Sequence, residues 1–203
     1  LLPLASLAIE VYGDDPCPRF SPRPSKDEEF TEHELRLMAQ MHKAITIIQF
    51  KLEGQIIQRR SHYRMQDRLL LDKIQIDEGT LRVNDQEYAL LDTNFPTLDP
   101  AAPYQLTEQE QNVVEKLRLS FTNSKRLQQH VRFLFSRGSI YRIHNGNLLY
   151  HGCISMNEDG SFQGFAVDDQ EFTAKAFMDR LDRLARQGYF ATDDPERKQY
   201  GMD

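Results

Sequence analysis

The apolar positions of this chain recur at two spacings, one of three and four residues and one of two, and they divide it into helices and hairpins. Leu4, Leu7, Ala8 and Val11 keep the helical spacing in the first segment, and Gly13 ends it. Thr31 and Glu34 form a Thr-x-x-Glu capping box. Behind it Leu35, Met38, Met41 or His42, Ile45, Ile48, Leu52 and Ile56 hold one stripe of a long helix. Leu37, Ala44, Ile47, Phe50 and Ile57 widen that stripe, which predicts burial on more than one side. Thr107 and Glu110 repeat the box ahead of Val113, Val114, Leu117 and Phe121. Thr122-Asn123-Ser124 then breaks the pattern, because short hydroxyl and amide side chains compete for backbone partners. Leu127, Val131, Leu134 and Phe135 predict the next helix, with Arg137 in its last turn and Gly138 just beyond. A last helix is expected after Thr173, where Phe172 and Phe177 stand as a hydrophobic staple ahead of Leu181 and Leu184.

Three stretches carry strand patterns. Asn145-Gly146 joins the runs 140–144 and 147–154, and such a dipeptide predicts a type I′ hairpin because both turn positions need positive φ. The turn sets the register: 144 opposite 147, 143 opposite 148, 142 opposite 149, 141 opposite 150 and 140 opposite 151. Leu148-Leu149-Tyr150 is apolar on both faces, which predicts a strand covered from both sides, and His151-Gly152 follow directly. Asn84-Asp85 predicts a second, polar hairpin over 80–83 and 86–91. Short strands are expected over 161–167 and 171–172, around Asp168-Asp169. Two irregular stretches complete the chain: 14–27, with four prolines, reads as a linker or surface loop, and 92–105, anchored by Phe95 and Tyr104, reads as a long loop.

Composition narrows the class. At 203 residues, 39% hydrophobic and 28% charged, the chain is long enough for a real core and is not of the disordered type. No apolar run approaches a membrane span. A net charge of −6 argues against general nucleic-acid affinity, which needs a concentrated basic face. Cys17 and Cys153 are far apart, so neither a disulfide framework nor a structural zinc site is indicated, and a reducing, cytoplasmic setting is expected. The chain opens at Leu1 without methionine and stops at Asp203 without a terminating feature, so an internal piece of something longer is expected.

Candidate chemistry is sparse. His151 stands at a strand end before glycine, a placement that presents a ligand, although a lone histidine is more often hydrogen-bonded structure. His42, on the long helix, reads as a satisfied boundary residue. Arg59, Arg60, Arg132 and Arg137 are candidates for phosphate contact, and the basic run 58–64 reads equally as a solvated helix end. Glu158, Asp159, Asp168 and Asp169 lack the spacing of a calcium loop and read as turn residues. No Gly-rich phosphate loop and no Gly-x-Ser-x-Gly elbow is present.

Taken together, KAITIIQFKLEGQII, MQDRLLLDKI, LLDTNFPTLDPAAPY, LQQHVRFLF and NGNLLYHGCISMNEDGSF resemble the class III, bacterial-type fructose-1,6-bisphosphatases, in order and over nearly the whole chain. Those belong to the calcineurin-like metallophosphoesterases, so the resemblance implies an α/β fold: part of a sandwich of mixed sheets flanked by helices, with a long-helix insertion. It implies a division into a short helix and Pro-rich connector (1–28), a region of long helix, peripheral hairpin and irregular loop (29–105), and helices with the metal-site strand (106–203). LLYHGCIS is similar to the strand by which the superfamily presents a metal-binding histidine, so His151 is implied as a metal ligand. The implied activity is hydrolysis of the 1-phosphate of fructose 1,6-bisphosphate in gluconeogenesis, with divalent metal, manganese above all. Two metals about 4 Å apart can activate water and stabilise an in-line displacement. His144 is not expected as a second ligand, being four residues from His151, about 13 Å along a strand.

The superfamily's remaining metal motifs, D-x-H, G-D-x-x-D-R, G-N-H-D/E and a later G-H segment, have no match in the chain. The expectation is therefore a middle piece with one ligand, inactive alone, with self-association left open. Ser155 stands where the family pattern has proline. A protein or dinucleotide-polyphosphate phosphatase of the same superfamily is the nearest alternative. A noncatalytic interaction module that keeps one strand of the site is the alternative from another class.

Overall fold

Thr31 starts the longest element of the chain, and it does so with the reciprocal hydrogen bonds expected of a capping box. Its hydroxyl accepts from the Glu34 N–H, and the Glu34 carboxylate accepts from the Thr31 N–H at 2.8 Å. In this computed structural model, which describes residues 2–25, 27–167, 169–193 and 195, the helix behind that cap is α2, Glu32–Arg59. It follows α1, Leu2–Tyr12. Beyond lie β1, Ile74–Gln75, β2, Thr80–Val83, and β3, Gln86–Ala89, then α3, Glu108–Thr122, and α4, Lys125–Arg137. The remaining elements are β4, Tyr141–His144, β5, Asn147–Tyr150, β6, Gly164–Val167, β7, Gln170–Thr173, and α5, Ala174–Phe190. The fold is α/β, with five α-helices and three small antiparallel sheets among the described residues: β1-β2-β3, β4-β5 and β6-β7. Two compact units divide the chain, one ending at Phe121 and one beginning at Thr122.

The first unit holds the core. Leu4, Leu7 and Tyr12 of α1 pack with Cys17, with Ala39, Ala44 and Ile48 of α2 and with Val113 of α3. Each fully buried aliphatic side chain of this kind contributes roughly 2 kcal/mol. A smaller cluster joins Leu71, Leu98 and Tyr104. The buried face of α2 lies on the widened side of the predicted stripe. Ala44, Ile47, Ile48 and Ile57 are buried as expected, and with them Gln40, Lys43, Lys51 and Gly54, while Leu35, Met38, Met41 and Leu52 are only half-buried. Two lysines and a glutamine therefore lie inside, and each has partners.

Lys43 Nζ stands 2.7 Å from Asp15 Oδ2 and 2.7 Å from Asp92 Oδ2, over the rings of Tyr12 and Phe95. Gln40 Nε2 donates to the carbonyls of Tyr12, Gly13 and Asp15. The Pro-rich stretch 14–27 is thus fastened at its start instead of running free. Lys51 Nζ donates to Glu110 Oε2 at 2.8 Å and to the Thr97 carbonyl at 2.6 Å. The same Glu110 oxygen accepts from the Thr107 N–H at 2.8 Å, so the capping residue of α3 also neutralises a lysine of α2. Loop 92–105 is bound to α2 along its length. Gln55 Nε2 donates to the Tyr104 carbonyl, and the Tyr104 ring lies where a side chain on Gly54 would stand, within 2.0 Å of a Cβ there. His42 Nδ1 lies 3.1 Å from the Phe20 carbonyl, consistent with a satisfied boundary residue.

The Lys43 cluster makes stability depend on pH. Burial disfavours the charged form of Asp15. Hydrogen bonds from Lys43, the Cys17 N–H and Asn94 outweigh that and hold its carboxyl down to about 2, from an ordinary 3.8. A depressed carboxyl contributes stability that is complete above its unfolded value and is lost as pH falls through its folded one. A shift of this size is roughly 2 kcal/mol. Lys43 is raised, its two carboxylates outweighing burial, so its share is present below the ordinary lysine range and fades only in strong alkali. Urea denaturation of the chain should accordingly lose about 2 kcal/mol between about pH 5 and pH 2 through Asp15 alone. Asp15→Asn should flatten that part of the profile, and an unchanged acid limb in the variant would exclude the assignment.

Candidate functional site

The second unit is built around the Asn145-Gly146 turn. Asn145 at φ 50° and Gly146 at φ 75° adopt the left-handed conformations of a type I′ connection. The register is the expected one: Tyr141 pairs with Tyr150, Arg142 with Leu149, Ile143 with Leu148 and His144 with Asn147. β5 ends at Tyr150, so His151 lies one residue past the last rung, in a bend, with Gly152 at φ 96° behind it. A Cβ on Gly152 would meet open space, so the glycine is needed for its backbone conformation and not for clearance.

One expectation is corrected here. Leu148, Leu149 and Tyr150 are exposed by 41%, 53% and 45%, so the strand is not covered from both sides. The unit has apolar side chains but leaves them open: Phe133, Leu134, Ile143, Phe162 and Phe190 are exposed as well, and among its described residues only Ala191 is buried.

The ribbon is held from its root. The Tyr141 hydroxyl donates to Asp179 Oδ1 at 2.7 Å, and Lys175 Nζ reaches Asp179 Oδ2 at 2.6 Å while lying over the Tyr141 ring. Lys175 and Tyr141 together keep the Asp179 carboxyl below the usual carboxylate range. The Ile140 N–H donates to Asp182 Oδ1 at 3.3 Å, and Arg186 Nε to Asp182 Oδ2 at 2.7 Å. The rest of the Arg186 guanidinium donates to the carbonyls of Phe135 and Gly138 at the end of α4. Phe135 also stacks on Tyr189, ring centroids 4.1 Å apart. Gly138 closes α4 in an extended conformation, φ −80°, so the chain passes straight from helix into strand without a left-handed cap. Lys175, Asp179, Asp182 and Arg186 were not singled out by the sequence reading. Their signal was available, as charge pairs four residues apart, Lys175 with Asp179 and Asp182 with Arg186.

Behind His151, the Gln163 N–H donates to the Ser155 carbonyl and Met156 bridges Phe162 around the turn 157–160. Asp159 Oδ1 accepts from the Ser161 N–H and hydroxyl, and those bonds keep its carboxyl low. Asp159 is thus a turn residue, as is Asp169 at φ 60°, while Asp168 lies outside the described residues. The strands expected over 161–167 and 171–172 form as β6 and β7, Gly164 paired with Thr173 and Val167 with Gln170. Thr173 is the N-cap of α5, as expected, but its side chain makes no cap bond. Phe177 stacks on Phe165, the partner of Phe172 across the hairpin, with centroids 4.6 Å apart.

His151 is exposed, and neither of its ring nitrogens has a hydrogen-bond or ion-pair partner among the described residues. An imidazole so placed fits one coordination position of a metal. No three His, Cys, Asp or Glu side chains among the described residues are grouped to hold a metal ion. Arg59 and Arg60 belong to the first unit, Arg132 and Arg137 to the second. Arg132 and Arg137 stand five positions apart on α4, about 140° around the helix, so they do not share a face. No helix among the described residues is long and apolar enough to cross a membrane.

Comparison with known proteins accounts for the whole chain. The family described as Firmicute fructose-1,6-bisphosphatase matches residues 1–203. "Fructose-1,6-bisphosphatase class 3" of Clostridium botulinum (strain Kyoto / Type A2) is 54% identical over 203 residues, covering 100% of this chain and 30% of that protein. The protein of the same name from Alkaliphilus metalliredigens (strain QYMF) is 53% identical over 205 residues, covering 100% of this chain and 31% of that protein. The chain thus spans less than a third of the length of the curated relatives it matches. No solved structure matches it. The family match takes in every residue from 1 to 203, and the chain belongs to the Firmicute fructose-1,6-bisphosphatase family.

Proposed function

We propose that the chain is a segment of a metal-dependent phosphatase that hydrolyses the 1-phosphate of fructose 1,6-bisphosphate, and that His151 is one of its metal ligands. The observation that carries this reading is the match over all 203 residues, at 54% identity, to relatives named for that activity. The remaining ligands come from chain outside this segment, within a metallophosphoesterase sandwich to which β4 and β5 contribute. Manganese is the expected metal, gluconeogenesis the setting and the cytoplasm the compartment. Division at 28 and 105 into connector, helical region and site region describes the segment's parts in that enzyme.

When bound, a pair of divalent ions supplies Lewis acidity and an activated water for displacement at phosphorus. Of this chain's own residues, His151 offers an imidazole at the strand end, and the ribbon sets where it stands. Arg59, Arg60, Arg132 and Arg137 are candidates for phosphate contact, and charge alone singles out none of them.

The full-length protein should release inorganic phosphate from fructose 1,6-bisphosphate, lose that activity on chelation and regain it with manganese. The 203-residue piece alone should release none. A full-length protein inert toward this substrate with metal supplied, or an active isolated piece, would refute the reading.

A further inference from the structure

We propose that Asp179 and Asp182 of α5 are positioning residues for the His151 imidazole, an inference that rests on His151 being a metal ligand. The two carboxylates stand three apart on α5, hence on one face of it. They grip the first residue of β4 and the residue just before it. Asp179 accepts from the Tyr141 hydroxyl at 2.7 Å and Asp182 from the Ile140 N–H at 3.3 Å. Tyr141 pairs with Tyr150, the residue before His151, and Ile140 is the next position outward, on the side where His151 leaves the ribbon. The gripped positions are therefore the last rung and the one alongside the histidine.

Each carboxylate is itself held by a cation one turn along α5. Lys175 Nζ lies 2.6 Å from Asp179, and Arg186 Nε lies 2.7 Å from Asp182. Arg186 extends the grip to the carbonyls of Phe135 and Gly138, where α4 hands the chain to β4. The histidine needs such support. Its strand is four residues long and exposed, and Gly152 behind it has the freedom of φ 96°. Exposed pairs like Lys175 with Asp179, 63% and 37% exposed, add little to stability. Their effect is on direction: groups that orient a metal ligand typically change metal affinity about 10-fold to 100-fold.

The test titrates manganese into the full-length protein by chelator competition, with circular dichroism as a control for folding. Asp179→Ala/Asp182→Ala should weaken manganese binding about 10-fold or more at unchanged secondary structure. Asp182→Asn, which keeps an acceptor for the Ile140 N–H, should restore most of the affinity relative to Asp182→Ala. Affinity within about twofold of the unaltered protein in the double variant would overturn the proposal. So would equal losses in Asp182→Asn and Asp182→Ala. If the double variant does not fold, Asp179→Ala and Asp182→Ala are titrated singly, and unaltered affinity in both overturns it. His151→Ala separates the two levels. Full metal binding in that variant sinks the ligand reading, whereas loss there with unaltered binding in the α5 variants sinks only this inference.

Discussion

Replacing His151 with alanine in the full-length protein is expected to lower metal-dependent phosphate release from fructose 1,6-bisphosphate by more than ~100-fold and to reduce bound metal in parallel. The size follows from what lesser changes do. Groups that merely orient a metal ligand are worth about 10-fold to 100-fold, and removing the ligand removes the bond they serve. Folding should be untouched, because the side chain is exposed and supports no described contact. His144→Ala is the matched control. His144 pairs with Asn147 at the tip of the ribbon, the end away from His151, so metal content and rate should stay at the unaltered level. Metal analysis and initial rates on the two variants decide the matter, and a His151→Ala protein with full metal content would refute the ligand role.

The second large effect lies in the other unit and concerns stability. Lys51 and Glu110 have side chains 0% and 1% exposed and meet at 2.8 Å. Lys51→Met keeps the stem's volume but leaves a carboxylate buried with only the Thr107 N–H to satisfy it. Removing one partner of a buried pair costs about 3–5 kcal/mol. Replacing both, Lys51→Met with Glu110→Leu, should cost far less than the sum of the single changes, because no charge is then stranded. Urea denaturation of all three variants measures this coupling. Additive losses would mean that the two charges are solvated independently, and the pairing would be refuted as a source of stability.

What could be read from the sequence follows from the range of each signal. Both capping boxes and the Asn145-Gly146 register are local chemistry, fixed within four residues, and they form as predicted. The lysines on the buried face of α2 were hidden because hydropathy assigns lysine to water. Lys43 and Lys51 are inside only because Asp15, Asp92 and Glu110 reach them from far along the chain. Nothing in the spacing around α2 announces those partners. The two apolar faces of β5 announced cover that this segment does not supply. His151 was legible as a strand-end histidine followed by glycine. Its support by Asp179 and Asp182 was not, because the hydrogen bonds join residues 38 and 42 positions apart.

The lysine pins also bear on where the backbone can be broken. Lys43 meets Asp92 across 49 residues and Lys51 meets Glu110 across 59, so both pins span the excursion that carries β1, β2 and β3. Its outermost point, Asn84-Asp85, is exposed, whereas Leu71 near its start is buried in the cluster with Leu98 and Tyr104. Cutting the peptide at that tip, or splicing a foreign segment into it, leaves every pin and every core side chain in place. After a cut there, the two fragments are expected to hold together through the buried ion pairs and the shared core. The polar hairpin is thus a natural port for a tag.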